Sequence, residues 1–190
     1  EDVTKRKLDS EAAGSVLMFD ALEAWVHDPN AAVYAAILGE SGIGKTTLLK
    51  QMTLRMIDQR KQDRSLPLPI YIDLRLFIPT IQEQKKVPTN LVELLDEVLG
   101  RATHRGDVSG ISGEDIVRMV QQDGAILIFD GLDEKLVHLD ENQGMALMRV
   151  LWEALPFSVV RKQRRDGTVR HGRVVFSCRS HYFKSLREQN

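Results

Sequence analysis

The chain has 190 residues, 43% hydrophobic and 28% charged, the content of one ordinary globular domain with at most a short extension. Its net charge of −1 provides no global field that would select nucleic acid or a membrane surface. The single cysteine, Cys178, excludes an internal disulfide framework and fits a reducing compartment, and no apolar run approaches the ~20 residues of a membrane span.

The start, Glu1-Asp2-Val3-Thr4-Lys5, is polar, lacks the pattern of a signal peptide and has no initiator Met. We therefore expect a cytoplasmic protein from which this chain is a piece, with residues 1–14 a lead-in and residues 15–190 the folded core. Residues 11–27 read as a helix with Met18, Leu22, Trp25 and Val26 on one face, stopped by Asp28-Pro29-Asn30. Trp25 could stack on a base, but its place on an apolar stripe favours core packing.

Ala31 to Leu38 is a continuous apolar run, as a strand buried on both faces requires. It leads into Gly39-Glu40-Ser41-Gly42-Ile43-Gly44-Lys45-Thr46-Thr47, the spacing G-x-x-x-x-G-K-[ST] of a phosphate-binding P-loop. Gly39, Gly42 and Gly44 let the backbone turn tightly and bring its N–H groups to an anion. Lys45 can reach the β- and γ-phosphates, and the Thr46 hydroxyl can hold Mg²⁺. Leu48, Leu49, Met52, Met56 and Ile57 then recur at helical spacing, so a helix N-terminus with its free N–H groups follows the loop. A strand, a glycine loop, Lys-Thr and a helix in that order set the motif apart from an unliganded glycine turn.

After a polar connection at Lys61–Ser65, residues 66–74 read as a second strand whose prolines suit a strand start at a sheet edge. Thr89 is placed to cap a helix reaching about residue 101, and residues 106–113 are read as a loop. Ser112, with Asp115 three residues on, caps a helix that Asp123-Gly124 ends. Ala125 to Asp130 is then a buried strand ending in a carboxylate, followed by Gly131-Leu132-Asp133-Glu134. At the C-terminal end of a strand, where open α/β sheets place ligands, Asp130 can hold Mg²⁺, and Asp133 or Glu134 can orient or deprotonate an attacking water. Without the P-loop upstream, a turn-capping Asp130 and two solvated acids would explain the segment equally well.

Residues 141–155 read as a helix with Met148, Leu151, Trp152 and Leu155 inward. Arg161 to Arg173 carries six Lys/Arg against one Asp around Asp166-Gly167. A nucleic-acid or acidic-partner patch fits its charge, but without interleaved aromatics a solvated loop or small hairpin is the better reading. The last strand, Val174 to Cys178, ends beside Arg179, which could sense a γ-phosphate or pair with the acids at 130–134. Cys178 reads as a small buried residue rather than a nucleophile, and His181 as structural rather than a metal ligand. Strands alternating with helices indicate a doubly wound, mostly parallel α/β sheet.

Asp130-Gly131-Leu132-Asp133-Glu134 resembles the extended Walker B segment of the NACHT clade of STAND-type NTPases, in which a tiny residue follows the metal-binding Asp and further acids follow it. Leu68 to Arg75 resembles the second strand of that clade. Ser177-Cys178-Arg179-Ser180-His181-Tyr182-Phe183 resembles its sensor-1 segment, especially in bacterial members, and Ala21 to Trp25 is similar to the helix before its P-loop strand. The likeness covers about residues 15–186. It implies a sheet in which the 173–178 strand inserts between the P-loop and Walker B strands, bringing Arg179 to the γ-phosphate. It implies ATP (or ADP) with Mg²⁺, slow hydrolysis, and a switch whose nucleotide state controls self-association and the signalling or defence output of attached effector and sensor domains. The fifth strand, small helical region and winged helix of such proteins are not in this sequence, so we expect a core truncated on its C-terminal side with a hydrophobic edge on the P-loop strand. The alternatives are a mechanical or loading ATPase of the AAA+ kind acting on nucleic acid or protein, and a binding module without turnover; a small-molecule kinase lacks an arginine-rich lid. Nucleic acid is allowed but not favoured as a partner, and a membrane is not expected.

Overall fold

A computed structural model of the chain describes residues 18–77, 87–103, 110–165 and 172–179. The Asp166-Gly167 turn, His181 and the start of the first helix lie outside the described residues. The chain divides into two compact units, Glu1–Ala32 and Val33–Asn190. In the first, residues 18–27 form helix α1, and the Trp25 Nε1–H donates to the Ala32 carbonyl at 2.7 Å. Met18, expected inward, is 43% exposed.

Among its described residues the second unit is built on four strands: β1 (Tyr34–Leu38), β2 (Pro69–Asp73), β3 (Ile126–Asp130) and β4 (Arg173–Cys178). Their order is β1-β4-β3-β2 and every pairing is parallel, so the α/β class holds and β4 lies between the P-loop strand and β3. Apolar β-branched and aromatic runs make β3 and β4 central and buried along their whole length, as a parallel sheet covered on both faces requires. Register aligns Leu38 with Cys178 and Asp73 with Asp130, so the C-terminal ends of the four strands form one row. That row is where the site is built.

The helices are α2 (Lys45–Gln62), α3 (Leu91–Thr103), α4 (Gly113–Gln122), α5 (Leu132–Leu136), α6 (Glu141–Trp152) and α7 (Phe157–Arg165), with a 3₁₀ turn at Leu74–Phe77. Helix α2 buries Leu49, Met52 and Met56 and lies against β2 and β3. Leu127 and Phe129 of β3 and Val174 and Phe176 of β4 instead join a core with Leu94, Leu95 and Val98 of α3, Val120 of α4 and Leu151 of α6. Alternate residues of each strand thus meet α2 or the α3–α4–α6 side, the period-two division of a doubly wound sheet. Stacked rings of Tyr34, Phe176 and Phe129, with centroids 6.0 and 5.6 Å apart, tie three elements of that core.

Several expectations change in detail. Strand β1 is not buried on both faces; only Ile37 is, because β1 pairs with β4 alone among the described residues. Leu38 is 44% exposed. Strand β2 stops at Asp73 and Leu74 begins the 3₁₀ turn. The cap of α3 falls on Asn90, whose Oδ1 accepts from Glu93 N at 2.9 Å, while Thr89 donates its hydroxyl to the Glu93 carboxylate. The Ser112–Asp115 capping box of α4 is present, and α6 carries a second one, Asp140 with Gln143. Trp152, expected inward, is 57% exposed: α6 ends there and the buried Ala154 and Leu155 fill the space beyond. Residues 161–165, expected in a loop or hairpin, belong to α7, which follows Pro156, contains no Gly or Pro, and buries Val160. No helix among the described residues is long and apolar enough to cross a membrane.

Candidate functional site

The P-loop leaves β1 with its ladder intact, since Gly39 N donates to the Cys178 carbonyl of β4 at 3.2 Å. Gly42 and Gly44 adopt positive φ, 81° and 94°, and open space surrounds both. These left-handed turns are nearly free only for glycine and wrap the loop onto the first turn of α2. The Lys45 Nζ lies along the loop, donating to the carbonyls of Gly39 at 2.7 Å and Glu40 at 3.0 Å. Helix α2 starts at Lys45 with no capping side chain and no acid in its first turn. An 18-residue helix with its leading N–H groups uncapped is a prepared seat for an anion.

Across the loop lies Asp130, 1% exposed. It shares the α2 face of the sheet with Tyr71 and Ser177, as the registers of β2, β3 and β4 and the two-residue side-chain period require. Asp130 Oδ2 accepts from the Tyr71 hydroxyl at 2.7 Å, and Oδ1 accepts from the Ser177 hydroxyl. Ser177 Oγ in turn accepts from Gly131 N at 3.0 Å. Burial by itself would raise the Asp130 carboxyl, but hydrogen bonds from Ser177, Tyr71 and Thr46 and the charge of Arg75 outweigh it and hold the group below the usual carboxylate range. Burial first and then the same contact raise the Tyr71 hydroxyl, so Tyr71 keeps the proton that it donates to Asp130.

The two expected metal residues, Thr46 and Asp130, are therefore brought together hydroxyl to carboxylate. Among the described residues no cluster of three or more His, Cys, Asp or Glu could hold a metal by itself. One hydroxyl and one carboxylate, both hard oxygens, beside an anion seat fit Mg²⁺, which takes few protein ligands and completes its shell with phosphate oxygens and water.

Gly131 has φ +77° and begins the short helix α5. Asp133 on α5 is 5% exposed and accepts from Arg179 Nε at 2.9 Å, so Arg179 pairs with an acid of this segment. Glu134, with its side chain 48% exposed, points elsewhere, its Oε1 3.9 Å from Arg75 Nη1. Cys178 is fully buried and its thiol is pushed up to about 12, first by burial and then by Asp133, so it is no nucleophile at neutral pH.

Reading the sequence missed four side chains at this site: Tyr71, Ser177, Arg75 and Lys135. The first three touch Asp130. Lys135 is 2% exposed; burial brings its amine down to about 7 against the pull of Asp73 and Glu134. The available signal was a run of polar residues at strand ends, Tyr71, Asp73 and Ser177, at positions of one parity.

The family model of the NACHT domain matches residues 34–176, well over half of the chain and within its second unit. No curated protein matches it. With a P-loop at the end of β1, a strand-end carboxylate on β3 facing Thr46, and β4 inserted between them, the chain belongs to the NACHT family of P-loop NTPases.

Proposed function

We propose that this nucleoside triphosphatase module binds ATP (or ADP) with Mg²⁺, hydrolyses ATP slowly, and serves as a nucleotide-dependent switch. In this reading its nucleotide state controls self-association and the signalling or defence output of a larger protein carrying effector and sensor domains. The observation that carries it is the Thr46–Asp130 contact beside the uncapped start of α2. The backbone of Gly39 to Thr47, with Glu40, Ser41 and Ile43 at its turns, would wrap the phosphates, and Lys45 would move from the loop carbonyls to the β- and γ-phosphates. Thr46 and Asp130 would hold Mg²⁺, which draws the phosphate oxygens together and offsets their charge. Asp133 is buried against Arg179, whereas Glu134 is half-exposed beside Arg75, so Glu134 is the acid that would orient the water, while Arg179 would report the γ-phosphate through Asp133.

Calorimetry with ATP, ADP and GTP, with and without Mg²⁺, tests this. Adenine nucleotide should bind with a Mg²⁺-dependent gain and turn over slowly. Lys45→Ala should abolish binding, and micromolar binding retained by that variant would overturn the P-loop assignment. The exposed Arg161 and Lys162 of α7 offer the loading-ATPase reading its surface; turnover stimulated by nucleic acid and lost when both are neutralised would replace the switch with that reading.

A further inference from the structure

Arg75, in the turn after β2, reaches three carboxylates. Its Nε and Nη2 donate to the two oxygens of Asp73, each at 2.7 Å, and its backbone N donates to Asp73 Oδ1 at 3.0 Å. With the guanidinium gripped on that edge, Nη2 stands 3.6 Å from Asp130 Oδ2 and Nη1 3.9 Å from Glu134 Oε1. Its stem lies over Gly131, where an added Cβ would come within 2.9 Å of Arg75 Cγ. The Arg75 carbonyl accepts from the buried Lys135 Nζ at 3.4 Å, which ties the turn to α5.

We propose that Arg75 is a positioning residue of the hydrolytic site: anchored by Asp73, it sets the spacing between the metal-side carboxylate Asp130 and the water-side carboxylate Glu134, and its charge competes with the metal for Asp130. This rests on the nucleotide-site reading above. The planar, always-charged fork of arginine serves both purposes at once: the Nε–Nη2 edge grips Asp73 with Nη2 also turned toward Asp130, and Nη1 faces Glu134. A lysine would keep the charge and lose the grip. The tiny residue after Asp130 follows from the same geometry, because the space a side chain would take belongs to the Arg75 stem.

Three chains decide it: wild type, Arg75→Ala and Arg75→Lys, each saturated with a non-hydrolysable ATP analogue, with Mn²⁺ affinity read by electron paramagnetic resonance and ATP turnover measured in parallel. Removing one nearby cation from Asp130 should tighten Mn²⁺ binding by roughly threefold to tenfold in Arg75→Ala, whereas Arg75→Lys should stay near wild type. Both variants should lose kcat with little change in KM, because Glu134 is no longer held. Unchanged or weaker Mn²⁺ binding in a folded Arg75→Ala overturns the charge competition. Should Arg75→Ala fail to fold, Arg75→Lys decides, and wild-type kcat in that variant overturns the positioning role. A wild-type chain that binds no analogue refutes the nucleotide-site reading itself, an outcome separate from both.

Discussion

Gly131→Ala tests the local architecture that joins Asp130 to α5. Two costs separate cleanly at this position. At φ +77° an L-residue with a Cβ is strained by about 1–2 kcal/mol. The new methyl would also lie 2.9, 3.3 and 3.5 Å from Cγ, Cδ and Nε of Arg75. That side chain cannot simply swing aside, because its far end is bonded to both oxygens of Asp73. Those hydrogen bonds are charge-assisted but about a third exposed, so loosening them adds about 1 kcal/mol rather than the buried-pair figure. The expected loss is about 2–3 kcal/mol in wild type and about 1–2 kcal/mol in an Arg75→Ala background, where only the backbone strain remains. The assay is equilibrium urea unfolding of the four chains of the double-mutant cycle, read at constant m-value. Equal destabilisation in the two backgrounds would refute the seat of Arg75 over Gly131; no destabilisation in either would refute the left-handed conformation itself.

Asp130→Asn should weaken nucleotide binding more with Mg²⁺ than without it, by about tenfold, as calorimetry would show; equal effects would remove Asp130 from the metal site. Arg179→Ala frees Asp133 and should lower the ratio of ATP to ADP affinity severalfold, measured by competition with a fluorescent nucleotide; an unchanged ratio would contradict its sensing role. For Lys135 the folded amine lies at about 7 against an ordinary 10.5. Between those values the unfolded chain holds the proton and the folded chain does not, so stability should rise with pH, by up to about 1.4 kcal/mol per pH unit. Urea midpoints at pH 7 and pH 9 check this; the rise should vanish in Lys135→Met, and its persistence there would assign it to another group.

What the sequence alone determined is what depends on neighbours along the chain. Glycine spacing, Lys45 and Thr46 define the anion loop because its phosphate contacts come from consecutive residues. The apolar run ending at Asp130 marks a central strand because burial on both faces demands it, and the Ser112–Asp115 box marks a helix start by local bonding alone. The resemblance to the NACHT clade added the place of β4 between β1 and β3, which no local pattern encodes and which the sheet order bears out. Tertiary structure decided the rest. Tyr71, Asp130 and Ser177 are 59 and 47 residues apart, and only parallel register puts their side chains on one face within hydrogen-bond reach. Arg75 meets Asp130 and Glu134 because β2 lies beside β3 and its following turn folds back over a residue without a Cβ. Trp152 carries an inward helical period yet faces out, since the end of α6 is set by the turn beyond it, and the basic run from Arg161 begins as a helix because Val160 has a core to enter. Sequence periodicity specifies which faces are apolar; which neighbour each face meets is a property of strand order and register, and the contacts around Asp130 are made at that level.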